Sequence, residues 1–198
     1  MELSHGAYTI QGINVLDLVE QFGTPVYVYD GEKIAQQIKT LRNAFSDTDI
    51  KVKYAAKALT NVSILKLIRK HGAGIEVVSL GEAQIAMKAG YSPGEIVFTP
   101  SCVDFNEIIE AVDLGMAINI DNLSTLQKFG DRYKNTYPCG IRINPHIMAG
   151  GNYKISTGHS NSKFGISIYQ FQQIMEIVQK HGVQVKGLIG LGGVARKS

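Results

Sequence analysis

A lysine stands where a short apolar run meets a turn. Residues 53–61 read KYAAKALTN, and Lys57 lies just before the turn residues TN. One interpretation is a reactive amine at the mouth of a barrel, where the chemistry of such folds takes place. The other is a solvated lysine at a strand end, and a lone lysine favours this second interpretation. The elements around Lys57 have to decide between the two.

Composition and charge narrow the range of partners. The chain has 198 residues, 44% of them hydrophobic and 19% charged, with a formal net charge of +3. Because the basic residues are spread along the chain, we expect neither nucleic acid nor a membrane as partner. The first residues lack the pattern of a signal peptide, so we expect none, and no apolar run approaches the roughly 20 residues of a membrane span. Cys102 and Cys139 lie far apart, which predicts reduced thiols and a cytoplasmic location.

Strand-like and helical patterns alternate along most of the chain. The strand candidates are 51–58, 75–79, 95–100, 117–121, 140–145 and 185–191. Lys57, Ser79, Ser101 and Asp121 lie near strand ends, at intervals of about 20–22 residues. Repeated β-α units of this size predict a parallel sheet, and their even length favours a closed (β/α)8 barrel over an open sheet.

Other segments have patterns of their own. VLDLVEQFG (15–23) and EKIAQQIKTLRNAF (32–45) predict helices, and TPVYVYD (24–30) predicts a strand. The stretch 146–165 predicts a long loop, a type of segment that is usually functional or disordered.

Glycines and histidines near the helix ends suggest caps. Three helical patterns close on glycine, which adopts left-handed backbone angles easily; these are Gly72, Gly90 and Gly115. Each of two histidines precedes a glycine at a helix end and is interpreted as a capping residue; these are His71 and His181. The other two considered, His146 and His159, have no metal-like spacing and are interpreted as surface side chains.

Several blocks, in order and suitably spaced, resemble the diaminopimelate decarboxylases. This family belongs to the pyridoxal-phosphate-dependent decarboxylases with an alanine-racemase-like barrel. The resembling blocks are YAAKA (54–58), GAGIEVVSLGE (72–82), IVFTP (96–100), RINPHIMAGGNYKISTGHSNSKFGIS (142–167) and VKGL (185–188). The long fourth block favours this family over the ornithine and arginine decarboxylases.

The resemblance implies roles for individual residues. Lys57 corresponds to the lysine that bonds covalently to pyridoxal 5'-phosphate, which decides for the reactive amine. Glu76 stands where the family has an aspartate near that lysine. Ser79 either reaches the site or starts the turn into the next helix. Arg142 is expected to need a partner inside the barrel, and the cofactor region is the candidate. Lys163 belongs to a loop that shapes the site and the subunit contact in relatives.

The sequence departs from the family from Gly187 onward. There the family reads G-L-H-x-H-x-G-S, whereas Ile189 and Leu191 replace both histidines and Val194 replaces the serine. Gly193 matches and is expected to contact the cofactor. The GLGG cluster that ends there is a weak candidate for cradling a phosphate.

The resemblance thus predicts an incomplete alanine-racemase-like barrel, with about six of eight units, over residues 1–198 and without the family's C-terminal β-domain. It implies decarboxylation of meso-diaminopimelate to L-lysine, with an amino-acid substrate and a homodimer at full length. This chain alone is expected to hold the cofactor weakly and to be inactive. A non-catalytic pyridoxal-phosphate-binding barrel and an inactive interaction module remain as alternatives.

Overall fold

Six parallel strands, most of them joined by helices, form the main sheet of the described chain. The computed structural model describes residues 1–4, 6–147 and 164–190. The strands of this sheet are β4 (Lys53–Ala55), β5 (Gly74–Val77), β6 (Ile96–Phe98), β7 (Ala117–Ile120), β8 (Cys139–Asn144) and β10 (Val185–Gly190). They lie side by side in that order, and the two-residue strand β9 (Ile166–Ser167) pairs with the end of β8. The predicted parallel sheet is confirmed.

Helices connect these strands and begin at capping residues. Their bounds are α3 (Val62–Lys70), α4 (Leu80–Lys88), α5 (Phe105–Asp113), α6 (Leu123–Tyr133) and α7 (Phe171–His181). Side chains that accept a hydrogen bond from a first-turn N–H begin four of them, each contributing about 1 kcal/mol; these are Asn61, Ser79, Asp104 and Asn122. The glycines predicted after α3, α4 and α5 have φ of +80°, +100° and +85°, which confirms their capping role.

One face of the sheet, the outer face, packs against the helices. Along β5, Ile75 and Val77 are fully buried, whereas Gly74 and Glu76 are half-buried. The same alternation runs through β6, β7 and β8, so isoleucine, valine and phenylalanine side chains meet Leu65, Ala83 and Phe129 of the helices. Parallel sheets usually bury both faces. Here the opposite face, the inner face, carries polar side chains instead, as the wall of a barrel does where it forms a site.

The N-terminal part of the chain differs from its prediction. A small antiparallel sheet comes first, with strands β1 (Glu2–Ser4), β2 (Ala7–Ile10) and β3 (Ile13–Asn14), followed by helices α1 (Val15–Phe22) and α2 (Gly31–Asn43). Both helices were predicted and the small sheet was not. The predicted strand at 24–30 is wrong, because this segment joins no neighbouring strand and both alternating sets of its side chains are exposed.

The sheet covers part of a barrel. β4 and β10 stand at its two ends, and within the described residues they do not pair with each other. Leu188 of β10 is 63% exposed, although its position in the strand is that of a core residue. The prediction of an incomplete (β/α)8 barrel with about six units is therefore confirmed. No helix in the described ranges is long and apolar enough to span a membrane.

Candidate active site

The carboxyl ends of the parallel strands meet at one edge, and Lys57 lies there. The predicted strand over 51–58 is too long, since β4 ends at Ala55 and residues 56–58 form one turn of 3-10 helix. The Tyr54 hydroxyl holds this turn by donating a hydrogen bond to the Leu59 carbonyl at 3.2 Å. Ala56 is fully buried beside it, and Lys57 itself is exposed. The turn thus anchors the chain on both sides of an accessible amine.

Glu76 lies on the inner face, on the strand next to β4. Its Cα is paired with those of Ala55 on β4 and Val97 on β6. Lys57 follows Ala55 by two residues, so the amine and the carboxylate belong to neighbouring positions at the same edge. The two groups form no ion pair, because within the described part of the chain no carboxylate lies within 4.0 Å of the Lys57 amine. The carboxylate can still complement a positive charge placed between the two.

Ser79 starts a helix. Its hydroxyl accepts a hydrogen bond from the Glu82 N–H at 3.2 Å, and the Glu82 carboxylate accepts one from the Val78 N–H at 2.8 Å. Of the two sequence-based alternatives, the structure thus places Ser79 at the turn into α4. This position fixes the loop that follows β5, and contact with a cofactor stays a prediction.

Arg142 lies on the inner face of β8 and has a partner. Its guanidinium carbon is 4.9 Å from the centre of the Phe164 ring, within the range of a cation-π contact. The neighbouring strand places Ile189 beside it. The expected partner inside the barrel is therefore, at least in part, an aromatic ring of the same chain. Lys163, His159 and Gly193 lie outside the described residues.

A polar group at the carboxyl ends of β6 and β7 was missed by the sequence analysis. The Asn119 amide donates a hydrogen bond to the Thr99 hydroxyl at 2.9 Å, and Thr99 is 4% exposed. Asp121 follows β7 and is 7% exposed. The sequence did contain a signal for this group, because polar residues follow apolar strand residues in both FTP (98–100) and NID (119–121). Asp121, however, was used only to mark the end of a strand.

Two histidines differ from their interpretation. His146 is not a plain surface side chain, because it is half-buried, stacks on Tyr169 and contacts Ser167. His181 ends α7, as a capping residue would, but its ring lies 3.3 Å from Asp131 of α6 and bonds to Gln127. His181 therefore joins two helices rather than capping one. His71 follows α3 at its C-cap, as predicted.

The two cysteines are both free, in agreement with the reduced thiols expected, and their surroundings differ. Burial on the outer face raises the pKa of the Cys139 thiol to about 12, so it stays neutral and inert. Cys102 is exposed. The described residues contain no cluster of His, Cys, Asp and Glu that could hold a metal ion.

These residues fit the part of a pyridoxal phosphate site that binds the cofactor's aldehyde. An accessible lysine at a strand end, an inner-face carboxylate one strand away and an inner-face arginine are suitable for an aldehyde, a cationic ring and an anionic group. The GLGG cluster suggested for the phosphate lies mostly outside the described residues.

Comparison with known proteins agrees with this arrangement. Residues 31–190 match the family described as pyridoxal-dependent decarboxylase, pyridoxal binding domain. Diaminopimelate decarboxylase of Methanothermobacter thermautotrophicus is 31% identical over 185 residues, which cover 92% of this chain and 43% of that protein. The Escherichia coli K12 enzyme of the same name is 34% identical over 179 residues, covering 88% of this chain and 41% of that protein.

Solved structures give the same result. Diaminopimelate decarboxylase from M. jannaschii in complex with L-lysine has a TM-score of 0.82 and 31% identity, covering 96% of this chain and 46% of that one. Lysine/ornithine decarboxylase from Vibrio vulnificus, complexed with putrescine, has a TM-score of 0.73 and 25% identity, covering 89% of this chain and 44% of that one. The chain thus spans less than half the length of these relatives, and its match to the pyridoxal-binding domain places it in the pyridoxal-dependent decarboxylase family.

Proposed function

We propose that this chain is the pyridoxal-phosphate-binding part of an enzyme that decarboxylates meso-diaminopimelate to L-lysine. The observation that carries the proposal is the position of Lys57, an exposed amine in a fixed turn directly after β4, within the domain that matches the family. The diaminopimelate decarboxylases named above support the substrate. The product, L-lysine, assigns the reaction to amino-acid biosynthesis.

Each residue of the candidate site has its own role in this proposal. The Lys57 amine binds the cofactor aldehyde, and the turn around it keeps the amine at the mouth of the barrel. Glu76 favours positive charge near this amine, and Arg142 faces the same space and attracts anionic groups. Ser79 and Gly193 are proposed to contact the cofactor as well. Bound pyridoxal phosphate supplies a sink for the electron pair left on the substrate when carbon dioxide departs.

The surroundings of the reaction are part of the same proposal. We place the protein in the cytoplasm, because its cysteines are free thiols and biosynthetic decarboxylation uses soluble substrates. We expect a homodimer for the full-length enzyme and a single partial barrel domain over residues 1–198. Neither nucleic acid nor a membrane is expected as a partner.

A chimera tests the function. Residues 31–190 replace the matching region of the E. coli K12 enzyme, and carbon dioxide release is measured from meso-diaminopimelate, ornithine and arginine. We expect release from meso-diaminopimelate that is lost in the Lys57→Ala chimera. A folded, cofactor-loaded chimera that prefers ornithine or arginine would contradict the substrate.

The second candidate is a protein that binds pyridoxal phosphate without decarboxylation. It is favoured by Ile189, an apolar residue beside Arg142 where the family has a histidine. In that case the chimera retains the cofactor, and a borohydride-reducible bond to Lys57, but releases no carbon dioxide from any of the three substrates.

A further inference from the structure

The carboxyl end of β8 holds a histidine in a strained backbone conformation. His146 follows the strand by two residues and has φ of +55°. Left-handed backbone angles in a residue other than glycine cost about 1–3 kcal/mol, and they persist where surrounding contacts hold them. The backbone N–H of His146 donates to the side-chain oxygen of Asn144 at 3.0 Å, which is one such contact.

The imidazole ring supplies the other contacts. Its Nε2 lies 2.7 Å from the Ser167 hydroxyl, and the ring stacks on Tyr169 with centroids 5.1 Å apart and planes within 14°. Its Nδ1 is buried without a hydrogen-bond partner in the described residues. A buried nitrogen left in this state costs about 1–3 kcal/mol. Two unfavourable terms at one residue indicate that the ring is held by what it binds on residues 167 and 169.

Those two residues belong to a segment that lies against β8, here called the return segment (residues 164–169). Ile166 and Ser167 pair with Ile143 and Asn144. Gly165 has φ of +80°, and a Cβ there would stand 2.9 Å from the Asn144 backbone nitrogen, so only glycine allows this approach. The pairing and the close approach make the return segment and the end of β8 one packed unit.

Arg142 is in contact with the other end of the same segment. Phe164 begins the return segment, and its ring lies 4.9 Å from the guanidinium carbon of Arg142. His146 therefore contacts the end of the segment at Ser167 and Tyr169, while Arg142 contacts its beginning. Arg142 lies on β8 and His146 just after it, with three residues between them. A shift of the return segment relative to β8 therefore changes both the His146 contacts and the Arg142 contact.

We propose that His146 is a positioning residue for Arg142. By binding Ser167 and Tyr169, its ring holds the return segment against β8 and thereby keeps the Phe164 ring beside the guanidinium. Arg142 is then fixed on the inner face at the same edge as Lys57. The consequence of this for ligand binding rests on the proposed function, whereas the coupling between His146 and Arg142 does not.

The test compares two identical substitutions in the 198-residue chain without cofactor. His146→Asn removes the ring and keeps a residue type that tolerates left-handed angles. His71→Asn makes the same change at the C-cap of α3 and serves as control. The measurements are hydrogen exchange of the amides of the return segment and the NMR resonance of the Arg142 Nε–H group, which the Phe164 ring shifts. Phe164→Leu gives the position of that resonance without the ring.

We expect His146→Asn to speed exchange in the return segment about ten-fold, the loss of roughly one hydrogen bond. We also expect it to move the Arg142 resonance most of the way to its Phe164→Leu position, while His71→Asn changes neither. Ser167→Ala, which leaves the residue 146 backbone untouched, should act in the same direction to a smaller extent and replaces His146→Asn if that variant does not fold. An unmoved Arg142 resonance overturns the proposal, even if exchange becomes faster, because the role of His146 is then local.

Discussion

The two faces of the parallel sheet differ in almost every property. The outer face is built from aliphatic and aromatic side chains that are essentially without solvent contact, Val77 and Phe98 among them. The inner face carries Lys53, Glu76, Asn119 and Arg142, all of them half-buried or exposed. Successive residues of one strand belong to different faces. A six-residue strand such as β8 therefore contributes to both the core and the candidate site.

The difference shows that, along each strand, the residues of the outer face supply stability and the residues between them, on the inner face, supply the groups of the candidate site. Burial against the helices supplies about 25 cal/mol per Å² of apolar surface, and only the outer face takes part in it. The inner face can thus carry charges and hydrogen-bonding groups at little cost to the fold. Removing an apolar side chain should therefore cost more stability on the outer face than on the inner face.

The largest effect is expected from removing two methyl groups on the outer face. Val77→Ala leaves a cavity at a fully buried position and should lower the free energy of unfolding by about 2–3 kcal/mol. Val97→Ala is the matched change on the inner face, where Val97 is half-buried, and should cost about 1 kcal/mol or less. Denaturant unfolding of both variants measures the difference. Equal losses would mean that the two faces contribute alike.

A smaller effect is expected at Gly140, an inner-face glycine with no room for a side chain. A Cβ on Gly140 would collide with the Asn119 side chain and stand 2.8 Å from Cδ1 of Ile189. Gly140→Ala should therefore cost about 1–3 kcal/mol of unfolding free energy through overpacking.

A double variant identifies the cause of that loss. Adding Asn119→Ala removes the first obstacle and should restore part of the stability, which a double-mutant cycle would report as a favourable coupling. If the two effects simply add, Asn119 is not what excludes a side chain at position 140.

How far the sequence predicted this arrangement depends on the range of each interaction. The regular spacing of strand ends at Lys57, Ser79, Ser101 and Asp121 predicted the parallel sheet, and the glycines after the helices predicted the caps. Both are patterns that can be seen in the sequence alone. The position of Lys57 in a turn depends on the hydrogen bond from the Tyr54 hydroxyl to the Leu59 carbonyl, and the hydrophobic periodicity of the sequence does not predict such a bond. The segment 24–30 has the alternation of a strand, but a strand also requires a neighbour to pair with.

The site was less predictable than the fold for the same reason. His146 was interpreted as a surface residue because it has no metal-like spacing. Its actual partners, Ser167 and Tyr169, are more than 20 residues away in sequence and form no local pattern. Phe164 as the partner of Arg142 was likewise not predicted. Contacts across such distances arise only once β8 and the return segment are packed together.

The smallest effect is a pH dependence on the inner face. Burial holds the pKa of Lys53 below its usual 10.5, helped by the neighbouring Lys51, although the amine donates a 2.8 Å hydrogen bond to the Glu95 carbonyl. Between the lowered pKa of Lys53 in the folded chain and the usual 10.5 in the unfolded chain, the unfolded chain binds more protons than the folded one. In that pH range Lys53 therefore makes the free energy of unfolding rise with pH. Because Lys53 is partly exposed, the contribution should be about 0.5 kcal/mol or less.

Unfolding of the Lys53→Gln variant measures this contribution. The difference in unfolding free energy between wild type and variant should change as the pH is raised toward 10.5, in favour of the wild type. A difference that stays constant over that range would mean that Lys53 is not perturbed by its place on the inner face.

The most direct test of the whole account asks which lysine binds the cofactor. The chain is incubated with pyridoxal 5'-phosphate, reduced with borohydride and digested, and the labelled peptide is identified by mass spectrometry. Lys57→Arg is the test variant, because a guanidinium stays protonated and is no nucleophile, and Lys53→Arg, on the strand that precedes the Lys57 turn, is its control. The account predicts a label on Lys57 that is lost in Lys57→Arg and kept in Lys53→Arg, with both variants as stable as the wild type within about 0.5 kcal/mol. A label that persists in Lys57→Arg, or that lies mainly on another lysine, would contradict it.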